Sequence, residues 1–267
     1  MKIVYQGQEV ETDATSVAAF LAARGVDCAK AIVEYAGEVY APGSDLTALE
    51  LKPGANLDVF KLTAGGRTLP TNPYLTPEER AVFDRVRVGV AGAGGLGSNC
   101  AMHLVRAGIR HLVVVDFDVV SESNLNRQFF FRDQVGMKKV DALKANLLRI
   151  DPEADIEAVD VKLDAASARE LFEACDIVVE AFDVAEAKAM LLGALMPSGT
   201  RIVTASGLAG WGRSNALRVK RMGAGLVVVG DGETAVGAGL PPQSPRVGMA
   251  AAMEANAVVA WLLGKEL

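Results

Sequence analysis

Paired cysteines are missing from this chain of 267 residues. Cys28, Cys100 and Cys175 are odd in number, far apart and without any C-x-x-C pair, which argues against a disulfide framework or a structural zinc and predicts inert, buried thiols. Long apolar runs are missing too. No stretch reaches eighteen uninterrupted apolar residues, and the opening MKIVYQGQEV turns polar too early for a secretory segment, so the expected location is the cytoplasm with no membrane partner. Nor is there a basic surplus: 27 Lys and Arg stand against 33 Asp and Glu, a net charge of -6 spread along the chain. That predicts no nucleic-acid partner, and an anionic small ligand would need locally clustered bases. Internal repeats and low-complexity tracts are also absent. What remains is 51% hydrophobic with a mean hydropathy of +0.24, ample for well-formed cores in a chain long for one domain and comfortable for two.

Residues 1-66 open with KIVYQGQEVE, apolar on alternate positions around a turn glycine, which predicts a β-hairpin. TSVAAFLAARG follows as a short helix, with Thr15 or Ser16 as N-cap, Val17, Phe20 and Leu21 on one face and Gly25 as the stop. KAIVEYAGEVYAP and ANLDVFKL add strand-like runs, and the order of hairpin, helix and strands describes a small β-grasp domain. RTLPTNPYLTP, residues 67-77, has three prolines and no periodicity, as an exposed linker should.

From residue 78 to 267 the texture changes to alternating strand and helix signals: RVRVGVAGAG, LGSNCAMHLVRAGI, RHLVVVDFD, KKVDALKANLLRI and onward to TRIVTASG. This is the pattern of an α/β domain with a doubly wound, mostly parallel sheet. NALRVKRMGAGLVVVGD reads as an added hairpin and RVGMAAAMEANAVVAWLLG as a closing helix.

The stretch GAGGLGS sits where a strand meets a helix. Gly92 allows the tight turn, Gly94 and Gly95 let backbone approach a phosphate, and Gly97 lets the helix pack on the strand, while the helix N-terminus offers free N-H groups to an anion. Asp116, ending LVVVD, stands where a ribose-binding carboxylate belongs. The loop and Asp116 serve a nicotinamide dinucleotide and ATP alike. The following DFDVVSESNLNRQ brings Asp118, Ser123, Asn124, Arg127 and Gln128, with Lys139 shortly after. Hydride transfer needs no such cations, whereas attack on an α-phosphate needs Arg127 and Lys139 to offset charge on the phosphoryl oxygens. Asp183, at the end of DIVVEAFD, is placed either to share Mg²⁺ with phosphate oxygens or to cap the next helix. Lys138 and Lys139 read alternatively as a solvated face.

In this order GAGGLGS, VDFDVVSESNLNRQ, GMKKVDALK, IDPEA and VVEAFD resemble the adenylating domain of the ThiF, MoeB and HesA family, relatives of the ubiquitin-activating enzymes. Residues 1-66, ending in Gly65-Gly66, resemble ThiS, so the whole resembles a ThiS-ThiF fusion. The resemblance implies ATP-dependent adenylation of a carrier's C-terminal glycine carboxylate with release of pyrophosphate, in thiamine (thiazole) biosynthesis. It implies ATP and Mg²⁺ as cofactors, phosphate contacts from Gly95, Asn124, Arg127 and Lys139, the ribose on Asp116, catalysis by Arg127, Lys139 and Asp183, and the metal on Asp183. It also implies a homodimer and a separate sulfur-donor protein. The chain departs from better-known members in lacking paired C-x-x-C zinc ligands and a sulfur-transferring cysteine, and so resembles a shorter, zinc-free branch. An arginine given by the partner subunit in some relatives has only Arg80 as a candidate here, and Val184 replaces a frequent asparagine. Gly66 is in peptide linkage to Arg67 and cannot attack ATP as the chain stands. Either residues 1-66 are released by cleavage, or a separate carrier is the substrate, or the glycine pair is only a joint. A nicotinamide-dependent oxidoreductase and a non-catalytic carrier scaffold are the rival functions.

Overall fold

The computed structural model describes residues 1-63, 66-67, 72-237 and 239-267, and divides into two compact units, Met1–Thr76 and Pro77–Leu267. In the first unit, β1 (Lys2–Tyr5) and β2 (Gln8–Glu11) form the expected hairpin, turning through Gln6 and Gly7 at positive φ. Helix α1 (Val17–Ala22) starts at Ser16, whose hydroxyl accepts the Ala19 N-H. A second hairpin, β3 (Ala31–Tyr35) with β4 (Glu38–Tyr40), and the long β5 (Asn56–Thr63) complete a sheet ordered β2-β1-β5-β3-β4. Parallel β1 and β5 lie at its centre. Alternation sorts the side chains: Ala31, Val33 and Tyr35 face the core with Ile3, Phe20, Leu21 and Leu57, while Ile32 and Glu34 face outward. Among the described residues, the buried side chains of this core run from Ile3 to Val59.

Past β5 the chain turns back. β6 (Gly66–Arg67) pairs antiparallel with β5, Thr63 opposite Gly66 and Leu62 opposite Arg67. Gly65, the other half of the glycine pair, lies outside the described residues. Replacing the α1 cap should be locally costly. Ser16→Ala removes the acceptor for the Ala19 N-H and is expected to lower stability by about 1 kcal/mol, measured as a shift in the denaturant midpoint with an unchanged slope.

The second unit begins with α2 (Pro77–Phe83). Strands β7 (Arg87–Ala91), β8 (His111–Asp116), β9 (Asp155–Asp160), β10 (Ile177–Glu180) and β11 (Arg201–Ala205) are all parallel, as the alternating sequence predicts. Connecting them are α3 (Gly95–Ala107), α4 (Lys139–Ile150), α5 (Ala165–Phe172) and α6 (Ala185–Leu195). The last hairpin, β12 (Arg218–Met222) with β13 (Leu226–Gly230), joins through β13, which runs parallel to β11. The sheet order is β12-β13-β11-β10-β7-β8-β9. From β7 the chain first builds outward through β8 and β9, then crosses to β10 on the other side. The order therefore reverses between β7 and β10, and a crevice opens at their carboxyl ends.

Helix α7 (Ser244–Leu262) packs along α3 and closes one face of the sheet. At its start, buried Arg246 donates to Asp231 (2.5 Å) and to the carbonyl of Gly212 (2.5 Å), binding the loops after β11 and β13 together. Further along, Glu254 is fully buried with neither carboxylate oxygen partnered. Burial pushes its carboxyl well above the usual range, nearby Lys188 opposes this and the Glu180 charge reinforces it. The linkage sign follows: the neutral form is favoured by folding, so stability from this group is full below about pH 4.5 and lost as pH rises toward the folded pKa. Glu254→Gln keeps the shape without the ionisation. It should be near neutral in effect at pH 4 and increasingly stabilising toward pH 7, read from melting curves across that range.

Candidate active site

The glycine loop leaves β7 at Gly92, which has φ of +98° and whose N-H donates to the Val115 carbonyl of β8 (2.8 Å). A Cβ on Gly97 would lie 1.8 Å from the Gly92 carbonyl oxygen, so the helix meets the strand with no room for a side chain. Gly94 and Gly95 face elsewhere. A Cβ on Gly95 would meet Val247 at 3.0 Å and the Arg127 stem at 3.5 Å, and one on Gly94 would lie 3.9 Å from the Gln128 amide. Gly94 takes the N-cap position of α3 without any side-chain cap, which leaves the first N-H groups of a long helix open at the crevice.

Asp116 closes the far side of the loop. One of its carboxylate oxygens accepts the Ala93 N-H (2.6 Å) and the other the Asp118 N-H (2.8 Å), fixing the carboxylate against the loop backbone. Asp118 pairs with Lys139 Nζ at 2.8 Å; Lys139 is 8% exposed at the side chain and Asp118 is 50% exposed. Lys139 is therefore no solvated-face residue, whereas exposed Lys138 pairs with Asp160.

Between them the chain passes through a 3-10 turn at Glu122–Asn124. Asn124 Oδ1 accepts the Ser121 N-H (3.0 Å), shaping the turn, while exposed Ser123 lends its carbonyl to Arg127 Nη1 (3.1 Å). Arg127 also donates to Asn126 (2.8 Å), and its stem runs along Gly95. Gln128 is buried with its Oε1 unpartnered, an unsatisfied polar atom beside the loop.

The docking of this segment rests on two residues that sequence reasoning passed over. Ser98 Oγ donates to the Gly94 carbonyl (2.6 Å) and accepts the Phe129 N-H (3.0 Å), and Asn99 Nδ2 donates to the carbonyls of Gly95 (2.7 Å) and Arg127 (2.8 Å). Their signal was present as two small polar residues in the first turn after the glycines, where such side chains bond to nearby backbone.

Across the crevice, Asp183 follows β10 and is exposed, with no hydrogen bond or ion pair among the described residues. Val184, with no side-chain cap, takes the N-cap position of α6, so Asp183 is not the cap. Its turn is set by buried Glu180, whose carboxylate accepts from the Phe182 N-H (2.8 Å), Lys188 Nζ (2.8 Å) and the Thr204 hydroxyl. No thiol joins the site. Cys100 is buried, and burial, then the Glu254 charge, pushes it well up; burial pushes Cys175 up to about 12. Cys28 is only half-buried, in contrast to the expectation of three buried thiols, because it sits on a surface 3-10 turn. Arg80, in α2, is partly buried.

The chain has relatives among known proteins. Over 123 residues it is 38% identical to an adenylyltransferase and sulfurtransferase UBA4 of Eremothecium gossypii, covering 46% of this chain and 28% of that protein. Over 103 residues it is 38% identical to a molybdopterin-synthase adenylyltransferase of Haemophilus influenzae, 38% of this chain and 42% of that one. The chain thus spans less than half the length of these relatives. In fold it is similar to the E. coli tRNA N6-threonylcarbamoyladenosine dehydratase TcdA in complex with AMP, with a TM-score of 0.66 at 20% identity over 73% of this chain and 93% of that one. The ThiF family model matches residues 71-266, the whole of the sheet, the glycine loop and both sides of the crevice, and the chain accordingly belongs to the ThiF family.

Proposed function

We propose that the chain uses ATP to adenylate the C-terminal glycine carboxylate of a ubiquitin-like sulfur carrier. The reading is carried by two cations on the chain that follows the ribose acid Asp116: Arg127, whose stem runs along Gly95 of the glycine loop, and Lys139, held on Asp118. A carboxylate oxygen of the carrier attacks the α-phosphorus, a new P-O bond forms, the α-β anhydride bond breaks, and pyrophosphate leaves with the electron pair. Negative charge gathers on the phosphoryl oxygens in that transition state, and two fixed cations in a partly buried site lower its energy. The open N-H groups of α3 take the phosphates, Asp116 takes the ribose hydroxyls, and the unpartnered Gln128 amide adds a polar contact beside Gly94. No side-chain nucleophile is required, since the carrier brings its own.

Asp183 fits Mg²⁺. It is a single exposed carboxylate without a partner, and among the described residues no group of three His, Cys, Asp or Glu forms a metal cage. Mg²⁺ is usually held by one or two carboxylates with phosphate oxygens and water, and it would neutralise the departing pyrophosphate. What supports a carrier kinship in the N-terminal unit is a mixed sheet with parallel β1 and β5 at its centre and α1 residues Val17, Phe20 and Leu21 in the same core, as a β-grasp carrier would have. Because Gly66 is amide-linked to Arg67, the substrate is a separate carrier with a free C-terminus. Sulfur then comes from a separate donor protein, the enzyme acts as a homodimer of the zinc-free branch, and thiazole formation for thiamine is the end use.

ATP-pyrophosphate exchange tests the reading, run on the full chain with and without a carrier ending in a glycine carboxylate. Exchange that depends on the carrier is the expected result. Tight NADH binding without ATP binding would replace it with the oxidoreductase reading, since Asp116 and the glycine loop serve either nucleotide.

A further inference from the structure

Strand β10 is apolar until its last residue. Ile177, Val178 and Val179 are fully buried, and Glu180 completes the strand with a side chain at 0% exposure. A charge in that place is costly unless partners surround it. One of its oxygens accepts the Phe182 N-H (2.8 Å), and the other accepts from Lys188 Nζ (2.8 Å) and from the hydroxyl of Thr204, which stands beside Glu180 in register on β11. A second buried acid, Glu254 of α7, lies near the same lysine but accepts no hydrogen bond among the described residues, so Lys188 is committed to Glu180.

These contacts hold both ends of one short connection, residues 181-184. At its start the Ala181 N-H donates to the Ala91 carbonyl (2.9 Å), and Glu180 takes the next N-H, that of Phe182. At its end Lys188 stands in the first turn of α6, where its own N-H donates to the Val184 carbonyl (3.1 Å). Asp183 lies between the two anchors, exposed and facing no partner among the described residues. The connection also abuts the glycine loop: a Cβ on Gly92 would stand 3.0 Å from the Ala181 carbonyl oxygen and 3.3 Å from the Phe182 ring. Glu180 thus holds from behind a turn whose front is already pressed against β7. A buried ion pair gives little stability over an apolar replacement of the same shape, so the use of this one lies in the geometry it fixes.

We propose that Glu180, together with Lys188, is a positioning residue that sets where the Asp183 carboxylate meets Mg²⁺ and the ATP phosphates. Being wholly buried, Glu180 touches neither. The inference rests on the adenylation reading, with Asp183 as metal ligand, and deepens it: the acid at the end of β10 and the lysine on α6 govern how well the metal is held, while the glycine loop and Asp116 govern how well the nucleotide is held.

Glu180→Gln with Lys188→Met removes both charges together and keeps both shapes, so the double variant should melt close to the unmodified chain. ATP affinity is measured by titration calorimetry on the full chain, in EDTA and across a Mg²⁺ series. In EDTA the two proteins should bind ATP alike, which also shows that the variant is folded. In Mg²⁺ the unmodified chain should bind more tightly, and Asp183→Asn should abolish that gain. The Mg²⁺ concentration giving half of the gain should rise about tenfold or more in the double variant. Lys188→Met alone frees only the α6 end and should give a smaller rise in the same direction, which tests the role if the double variant does not fold. A variant that binds ATP normally in EDTA and keeps its Mg²⁺ requirement overturns the proposal and leaves Glu180 as a structural pairing. So does an unmodified chain whose ATP affinity ignores Mg²⁺. The two readings fail separately. A raised Mg²⁺ requirement in a chain that catalyses no pyrophosphate exchange keeps the positioning role and removes adenylation, whereas full exchange at an unchanged Mg²⁺ requirement does the opposite.

Discussion

Gly97→Ala is expected to weaken ATP binding by about 100-fold or more and to lower the melting temperature by roughly 6 to 12 °C. The added methyl would stand 1.8 Å from the Gly92 carbonyl oxygen and 3.2 Å from the Ala181 Cβ. Neither neighbour is the free end of a flexible side chain. Relief requires α3 to draw back from β7 by on the order of 1 Å, which costs about 3 kcal/mol of overpacking and displaces the N-H groups that face the phosphates. Gly95→Ala is the informative control. Its methyl would meet Val247 at 3.0 Å and the Arg127 stem at 3.5 Å, both side chains, so the melt should hardly change while nucleotide affinity falls moderately. Equal effects from the two substitutions would show that the strand-helix contact does not govern the loop.

Lys139→Met should separate catalysis from stability. The side chain is buried along its stem and ends on Asp118 at 2.8 Å, but Asp118 is 50% exposed, so solvent screens the pair and its loss should cost no more than about 1 kcal/mol. Methionine keeps the stem in place. Its missing charge is felt in the transition state, where removing one such group lowers kcat by about 100-fold to 1000-fold. Carrier-dependent exchange gives the rate and thermal melting gives the stability. An unchanged kcat would return Lys139 to a purely structural role beside the ribose acid.

Much of this architecture is legible in the sequence because short-range chemistry determines it. Ser16 caps α1 since a hydroxyl before an apolar run has a free N-H to accept. The β and α alternation after residue 78 gives the parallel sheet, and the glycines mark the crevice, because no other residue tolerates the Gly92 and Gly97 backbone positions. The remainder depends on what arrives from far along the chain. Nothing local tells that β13 inserts beside β11 and so leaves β12 at the edge. Glu254 sits in an Ala-rich helix with no mark of its complete burial, which only the packing of α7 on α3 imposes. Asp183 shows the same limit: sequence permits a cap or a metal ligand at a strand end, and the N-cap of α6 at Val184, one residue later, excludes the cap.

The pairing of β6 with β5 has a kinetic consequence for any enzyme that cuts after Gly66. The Gly66-Arg67 bond belongs to a strand already zipped to Thr63 and Leu62, and a protease must grip its substrate as an extended, unattached strand. Among the described residues two pairs have to part, so the opened form is a small, fast fluctuation and not a global event. Release of the first sixty-six residues would then be metered by how often that short zipper opens, and a substitution that strengthens or weakens it would reset the tempo of processing without touching the bond that is cut.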